Sequence, residues 1–217
     1  MLREHEFLYY GEQEMDKKLQ RFVLGPLIFS LRDAEILYLS YQGVELIRRV
    51  YFAVRGPDWE TIPNFVQSTH VLQDSASESL TINLLARSLA EKVDCEWEAR
   101  ISVERKGVFQ FGVAGKIRRD FLKNRIGICV LLPPTLAGKR VRCKKHEQFG
   151  SYIEEGILPE EVVPHQPFLD FTSFAVELDP DTWLTMVFEG DIFEMEDQRN
   201  WGDASFKIYS TPLRYPF

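Results

Sequence analysis

Apolar and polar residues alternate with a period of two along most of this chain, the pattern of half-buried β-strands. Residues 22–31 (FVLGPLIFSL) read as strand interrupted at Gly25 and Pro26, and residues 36–41 follow after the turn residues Arg32, Asp33 and Ala34. Gln42 and Gly43 then turn the chain into residues 44–54, which predicts a meander of closely spaced strands. Gly56, Pro57, Asp58 and Trp59 form a loop, because proline fixes φ while Gly and Asp favour turns. Residues 65–72 and 80–89 are further candidates. The second, LTINLLARSL, leaves a strand and a short helix both open, since its alternation is not strict. Residues 95–103 and 108–117 alternate around Lys106 and Gly107 and read as a hairpin.

Residues 125–132 are almost continuously apolar, which predicts a central strand covered on both faces, ended by Pro133 and Pro134. Residues 135–169 carry Gly138, Gly150, Gly156, Pro159, Pro164 and Pro167 and read as loop. Residues 171–178 and 183–188 pair across Asp179, Pro180 and Asp181 as a second hairpin, and the strand character continues over residues 184–199. Many short strands with regular turn signals predict a mainly β fold, a large antiparallel β-sandwich, with residues 1–217 as one β-rich domain.

Composition narrows the function. The chain has 217 residues, 45% hydrophobic and 27% charged, enough to bury a core without disulfides. Its net charge of −7 argues against a nucleic-acid partner, which needs a basic footprint. The local run KRVRCKK at 139–145 reads as the solvated side of a strand or loop. Cys95, Cys129 and Cys143 are too widely spaced for a disulfide framework or a zinc knuckle, and Cys129 reads as a small core residue. His5, His70 and His146 share no ligand spacing, so neither metal nor cofactor is expected. The charged N-terminus has no signal-peptide pattern and no apolar run spans a membrane, so a cytoplasmic protein without a membrane partner is expected.

The most unusual stretch is residues 189–201, EGDIFEMEDQRNW, where acidic residues and an arginine interleave with Ile, Phe, Met and Trp. In a strand, Ile192, Glu194, Glu196 and Gln198 share one face, while Asp191, Phe193, Met195, Asp197 and Arg199 share the other. Glu194 and Glu196 would then stand roughly 6.6 Å apart at about 3.3 Å per residue. Two carboxylates so placed repel, and one can keep its proton near neutral pH, as acid/base chemistry requires. Charges on an exposed edge strand also guard against edge pairing, and Arg199 beside acidic residues also reads as a structural ion pair. His165 sits on a proline-framed loop that could aim it at a ligand or leave it bonded to backbone. Arg55, Asp58 and Trp59 could line a pocket with Trp59 as a sugar platform, or Trp59 could cap a sheet. No nucleophile elbow, P-loop or dinucleotide fingerprint is present.

Several segments together resemble the N-terminal region of the D-apionate lactonase family, sugar-acid lactone hydrolases of bacterial apiose catabolism. They are GVELIRRVYFAVR at 43–55 with Asp58, Trp59, Thr61, Ile62 and Pro63; NRIGICVL at 124–131; Ala137 and Gly138; PHQPF at 164–168; and FEGDIFEMEDQRNW at 188–201 with DASFK at 203–207. The resemblance runs from about residue 20 to the C-terminus. It implies the β-rich N-terminal domain of a longer enzyme in which a TIM-type barrel and a further domain follow, and a sugar acid or its lactone as ligand. By analogy with β-domains attached to sugar-processing barrels, the sandwich would be of the galactose-mutarotase-like kind. One reading is then a lactonase-like hydrolase with Glu194 or Glu196 catalytic and Asp197, Arg199, Asn200, Trp201, His165 and Trp59 around the substrate, Gln198 being a further donor. The other is a non-catalytic carbohydrate-binding or interdomain scaffolding domain in which Glu196, Asp197 and Arg199 form a buried ion network. Against the family pattern, Leu132 stands where a histidine is expected, Glu60 where a glycine is, and Gly202 and Ile208 where threonines are.

Overall fold

The period-two patterning becomes two antiparallel sheets in the computed structural model, which describes residues 19–74, 78–147 and 150–210. In chain order the strands are β1 (Gln20–Leu24), β2 (Leu27–Arg32), β3 (Glu35–Tyr41), β4 (Val44–Arg55), β5 (Asn64–Asp74), β6 (Ser79–Leu89), β7 (Asp94–Glu104) and β8 (Val108–Arg119). There follow β9 (Arg125–Leu132), β10 (Arg140–Glu147), β11 (Gly150–Ile157), β12 (Phe168–Asp179), β13 (Thr182–Val187), β14 (Phe193–Asp197) and β15 (Phe206–Ser210). The larger sheet has the order β1-β2-β3-β4-β9-β15-β14-β12-β10-β11, with β13 also paired to β12; the smaller is β5-β6-β7-β8. The fold is therefore mainly β, with large antiparallel sheets in a sandwich. The charged N-terminal stretch with His5 lies outside the described residues. No helix among them is long and apolar enough to cross a membrane.

The two sheets share one core. From the smaller come Leu80, Ile82, Leu84 and Ala86 on β6, and Trp97, Ile101 and Val103 on β7. From the larger come Phe29, Phe52, Val130, Leu132, Phe171, Phe174, Met195 and Phe206. Burying each large side chain is worth about 1.5–3 kcal/mol, which drives the sheets together. A polar chain crosses the gap: Trp97 Nε1 donates to Ser88 Oγ (3.0 Å), which donates to Asn64 Oδ1 (2.6 Å). Asn64 Nδ2 in turn donates to the Phe52 carbonyl (3.0 Å), and the Phe52 and Trp97 rings meet at 4.9 Å. This chain ties the smaller sheet to β4 of the larger one and satisfies each buried polar group it uses.

Three expectations need adjustment. Residues 80–89 form a strand, because Leu80, Ile82, Leu84, Ala86 and Ser88 all point inward, while Leu85 and the terminal Leu89 interrupt an otherwise polar outward row. The expected loop at 135–169 holds the β10–β11 hairpin at a sheet edge. Among the described residues of that hairpin only Val141 and Cys143 are deeply buried, so its apolar signal is weak. Gly156 opposite Val141 is required there, since a Cβ would come within 2.8 Å of the Phe168 ring. The strand expected over 184–199 is interrupted. β13 and β14 lie end to end along one edge of β12, parted by an excursion at 188–192, and residues 198–201 wind into a 3-10 turn.

β9 lies between β4 and β15; its second half, residues 129–132, is buried, while residues 125–128 are only half-buried. Its inward residues join the shared core, while Cys129 and Leu131 join Tyr51, Ala53 and Tyr209 in a second apolar cluster on the sheet's outer face. The candidate site sits on that outer face.

Candidate functional site

Register places the site. β4 and β9 pair Arg55 with Arg125, Ala53 with Gly127 and Tyr51 with Cys129. β15 sets Tyr209 against Cys129 and Lys207 against Leu131, and β14 sets Glu194 against Tyr209 and Glu196 against Lys207. Cross-strand partners share a face, so all these side chains project from the same outer surface. Its middle is built of Ala53, Gly127 and Cys129, whose small side chains leave a depression between longer neighbours. The resulting cleft has a volume of about 520 Å³. Arg55, Arg125, Lys207, Glu196, Tyr209 and the two tryptophans Trp59 and Trp201 are among its walls.

The rims come from two tight turns. After β4, Trp59 N–H donates to the Gly56 carbonyl (3.1 Å), and Trp59 holds φ at 65°. A left-handed conformation is uncommon for a bulky residue and marks a position held by its surroundings. Arg55 Nη1 fixes the turn by donating to the Trp59 carbonyl (3.2 Å), and the Asp58 N–H donates to the Glu60 carboxylate (3.0 Å). After β14, the 3-10 turn Gln198–Trp201 is capped at its start by Asp197 and ends at Gly202 with φ 81°. Glycine suits that left-handed cap. Trp201 Nε1 donates to Glu196 Oε1 at 2.8 Å, orienting the only carboxylate among the described residues that lines the cleft.

Cations collect around Tyr209. The Arg125 guanidinium lies 4.3 Å from its ring centre and 5.5 Å from that of Trp59, and Lys207 Nζ lies 5.6 Å from the Tyr209 ring. Such contacts hold a cation over an aromatic face. Beneath, the Tyr209 hydroxyl donates to Glu194 Oε2 (3.1 Å) and accepts from Gln166 Nε2 (3.5 Å). Burial pushes the Tyr209 hydroxyl well above its usual range, reinforced by the Glu194 charge. Burial likewise raises the Cys129 thiol at the cleft floor, against the pull of Lys207. Ser210 also lines the cleft, and its buried Oγ has no hydrogen-bond partner among the described residues.

Of the residues singled out in the sequence, the structure brings Trp59, Glu196, Gln198 and Trp201 together in the cleft, along with Arg55. Glu194 shares their face but is buried behind Tyr209. Asp197 and Arg199 are placed elsewhere, as alternation requires. The Asp197 carboxylate accepts from Arg199 Nε and Nη2 (both 2.8 Å) and from Val163 N–H (3.1 Å). Arg199 also donates to the carbonyls of Pro159, Glu160 and Glu161. The pair thus clips the 159–163 segment of this same chain to the end of β14. Burial would raise the Asp197 carboxyl, but the hydrogen bonds from Arg199 and Val163 outweigh it and hold it below the usual carboxylate range. His165 and Asn200 are exposed and outside the cleft lining; Gln166, beside His165, is the residue that enters it. Arg125, Lys207, Tyr209 and Gln166 were missed. For the first three the signal was the odd-numbered row of β9 and β15, unreadable until the strands are known to be neighbours; Gln166 lies in the loop before β12.

A sequence model of the family described as D-apionate lactonase, N-terminal domain, matches residues 7–217. The chain belongs to the D-apionate lactonase N-terminal domain family. It is also 32% identical over 212 residues to a D-apionate lactonase of Brucella anthropi, an alignment covering 97% of this chain and 34% of that protein. The chain therefore spans about a third of the length of this curated relative. The departures from the family pattern now have places. Leu132 and Ile208 are fully buried in the inner core, so the expected histidine position faces away from the cleft. Glu60 and Gly202 belong to the two rim turns.

Proposed function

We propose that this chain is the ligand-binding β-domain of a cytoplasmic, lactonase-like hydrolase acting on a sugar-acid lactone, with the outer-face cleft as its part of the substrate site. The observation that carries this reading is the grouping of Glu196 with Lys207, Arg125, Tyr209, Trp59 and Trp201 in one cleft. Lactone hydrolysis needs a base for water and donors for the developing oxyanion. Glu196 would be the base, with Glu194 behind it as a fixed charge, and Lys207, Arg125 and Gln198 the donors. The exposed tryptophan faces would stack on the sugar. Replacing the residue aligned with Glu196 by Gln in the Brucella anthropi enzyme should lower kcat/KM for lactone at least about 100-fold, the usual scale for a lost general base. An unchanged kcat/KM would remove Glu196 from catalysis.

One observation favours a second, non-catalytic reading. Trp201 is 71% and Trp59 51% exposed, so this wall of the site is open. A carbohydrate-binding wall completed by a further domain, such as a TIM-type barrel, would leave them so. In that case the Glu196 variant would weaken KM and spare kcat.

A further inference from the structure

We infer that the cleft selects the ring-opened carboxylate form of its sugar acid over the closed lactone, and so acts as a retention site for the product anion. This rests on the reading of the cleft as a sugar-acid site and adds the direction of its preference. Among the described residues, three cationic side chains and one carboxylate line the cleft, in a chain whose net charge is −7. Arg55 donates to the Trp59 carbonyl and the Thr61 hydroxyl, both neutral. Lys207 lies against the Tyr209 ring and faces Glu196 across the ladder without forming an ion pair. Neither cation meets a carboxylate among the described residues. Glu196 is itself turned to the Trp201 indole N–H. A lactone ring carries no charge and would leave both cations without a counterion. Opening the ring creates a carboxylate that can accept from Lys207 or an arginine, a charge-assisted contact stronger than any made to an ester. The aromatic walls suit the carbon chain of an aldonate rather than a bare inorganic anion.

The test is calorimetric or NMR titration of the full chain at pH 6 with D-ribonate, D-ribono-1,4-lactone, ribitol and sodium sulfate as probes. Ribonate should bind about tenfold or more tightly than the lactone or ribitol at low salt, with the advantage shrinking near 0.2 M NaCl as screening sets in. Lys207→Gln and Arg55→Gln should each weaken ribonate severalfold more than they weaken lactone or ribitol, whereas Trp201→Ala should weaken all three alike. Lactone binding as tight as ribonate, or charge variants that weaken all three equally, overturns the preference and leaves the sugar-site reading standing. Sulfate competing as well as ribonate also overturns it, marking a general anion site. If a chain with an intact thermal transition binds none of the probes, the sugar-site reading fails together with the inference.

Discussion

The buried pair Asp197–Arg199 sets up the sharpest stability prediction. The Asp197 side chain is 0% exposed and that of Arg199 15%. Besides its two charge-assisted bonds to Arg199, the carboxylate accepts from the backbone N–H groups of Val163 (3.1 Å) and Arg199 (3.2 Å). Arg199 also donates to the carbonyls of Pro159 (2.8 Å), Glu160 (2.9 Å) and Glu161 (3.2 Å). Arg199→Met keeps the apolar stem but strands a buried carboxylate. Removing one partner of such a pair costs about 3–5 kcal/mol. Asp197→Leu should cost a similar amount, because it leaves a mostly buried guanidinium uncompensated. The double variant should fall short of the sum of the two by about 2 kcal/mol or more, since each single change leaves a charge that the other removes. Urea unfolding at pH 7 across the four proteins measures this directly. Asp197 is held below its unfolded carboxyl range of about 3.9, so its contribution is fully present above that value and fades as pH falls through its folded pKa. Arg199→Met should therefore lose part of the wild type's acid dependence. A stability within about 1 kcal/mol of wild type for Arg199→Met, or additive single changes, would refute the reasoning.

Two more outcomes follow from buried groups. Ser88→Ala removes the link between Trp97 Nε1 and Asn64 Oδ1 without opening a large cavity, and should destabilise by about 1–3 kcal/mol in urea unfolding; a near-zero change would mean that water replaces the hydroxyl. Burial pushes the Cys143 thiol up to about 12, while an unfolded thiol ionises near about 8.5, so this group's contribution is complete below that value and erodes at about 1.4 kcal/mol per pH unit above it. Cys143→Ala should flatten the alkaline slope of stability between about pH 8.5 and 10, and parallel slopes for the two proteins would show that the thiol ionises alike in both states.

The sequence by itself determined the elements whose apolar rows are long and regular. β4, β7 and β8 follow directly from alternation, β9 from its almost continuous apolar run, and the end of β9 from two prolines. Alternation also split the acidic stretch correctly into a row with Glu194 and Glu196 and a row with Phe193, Met195 and Asp197. It left 80–89 open because Leu85 breaks the outward polar row, and it missed the β10–β11 hairpin because an edge hairpin with so short an inward apolar row carries little hydrophobic signal. The family resemblance was legible in local motifs. Which strands lie side by side was not. Arg125 and Tyr209 are 84 positions apart in the chain, yet the guanidinium sits 4.3 Å from the ring because β9 and β15 pair in one register. Local pattern sets which way a side chain points, since that depends only on the backbone period. Only the pairing of distant strands decides which side chains meet, and so made a cleft of Glu196, Lys207, Arg125 and Trp59 while leaving Asp197 and Arg199 to hold the opposite side.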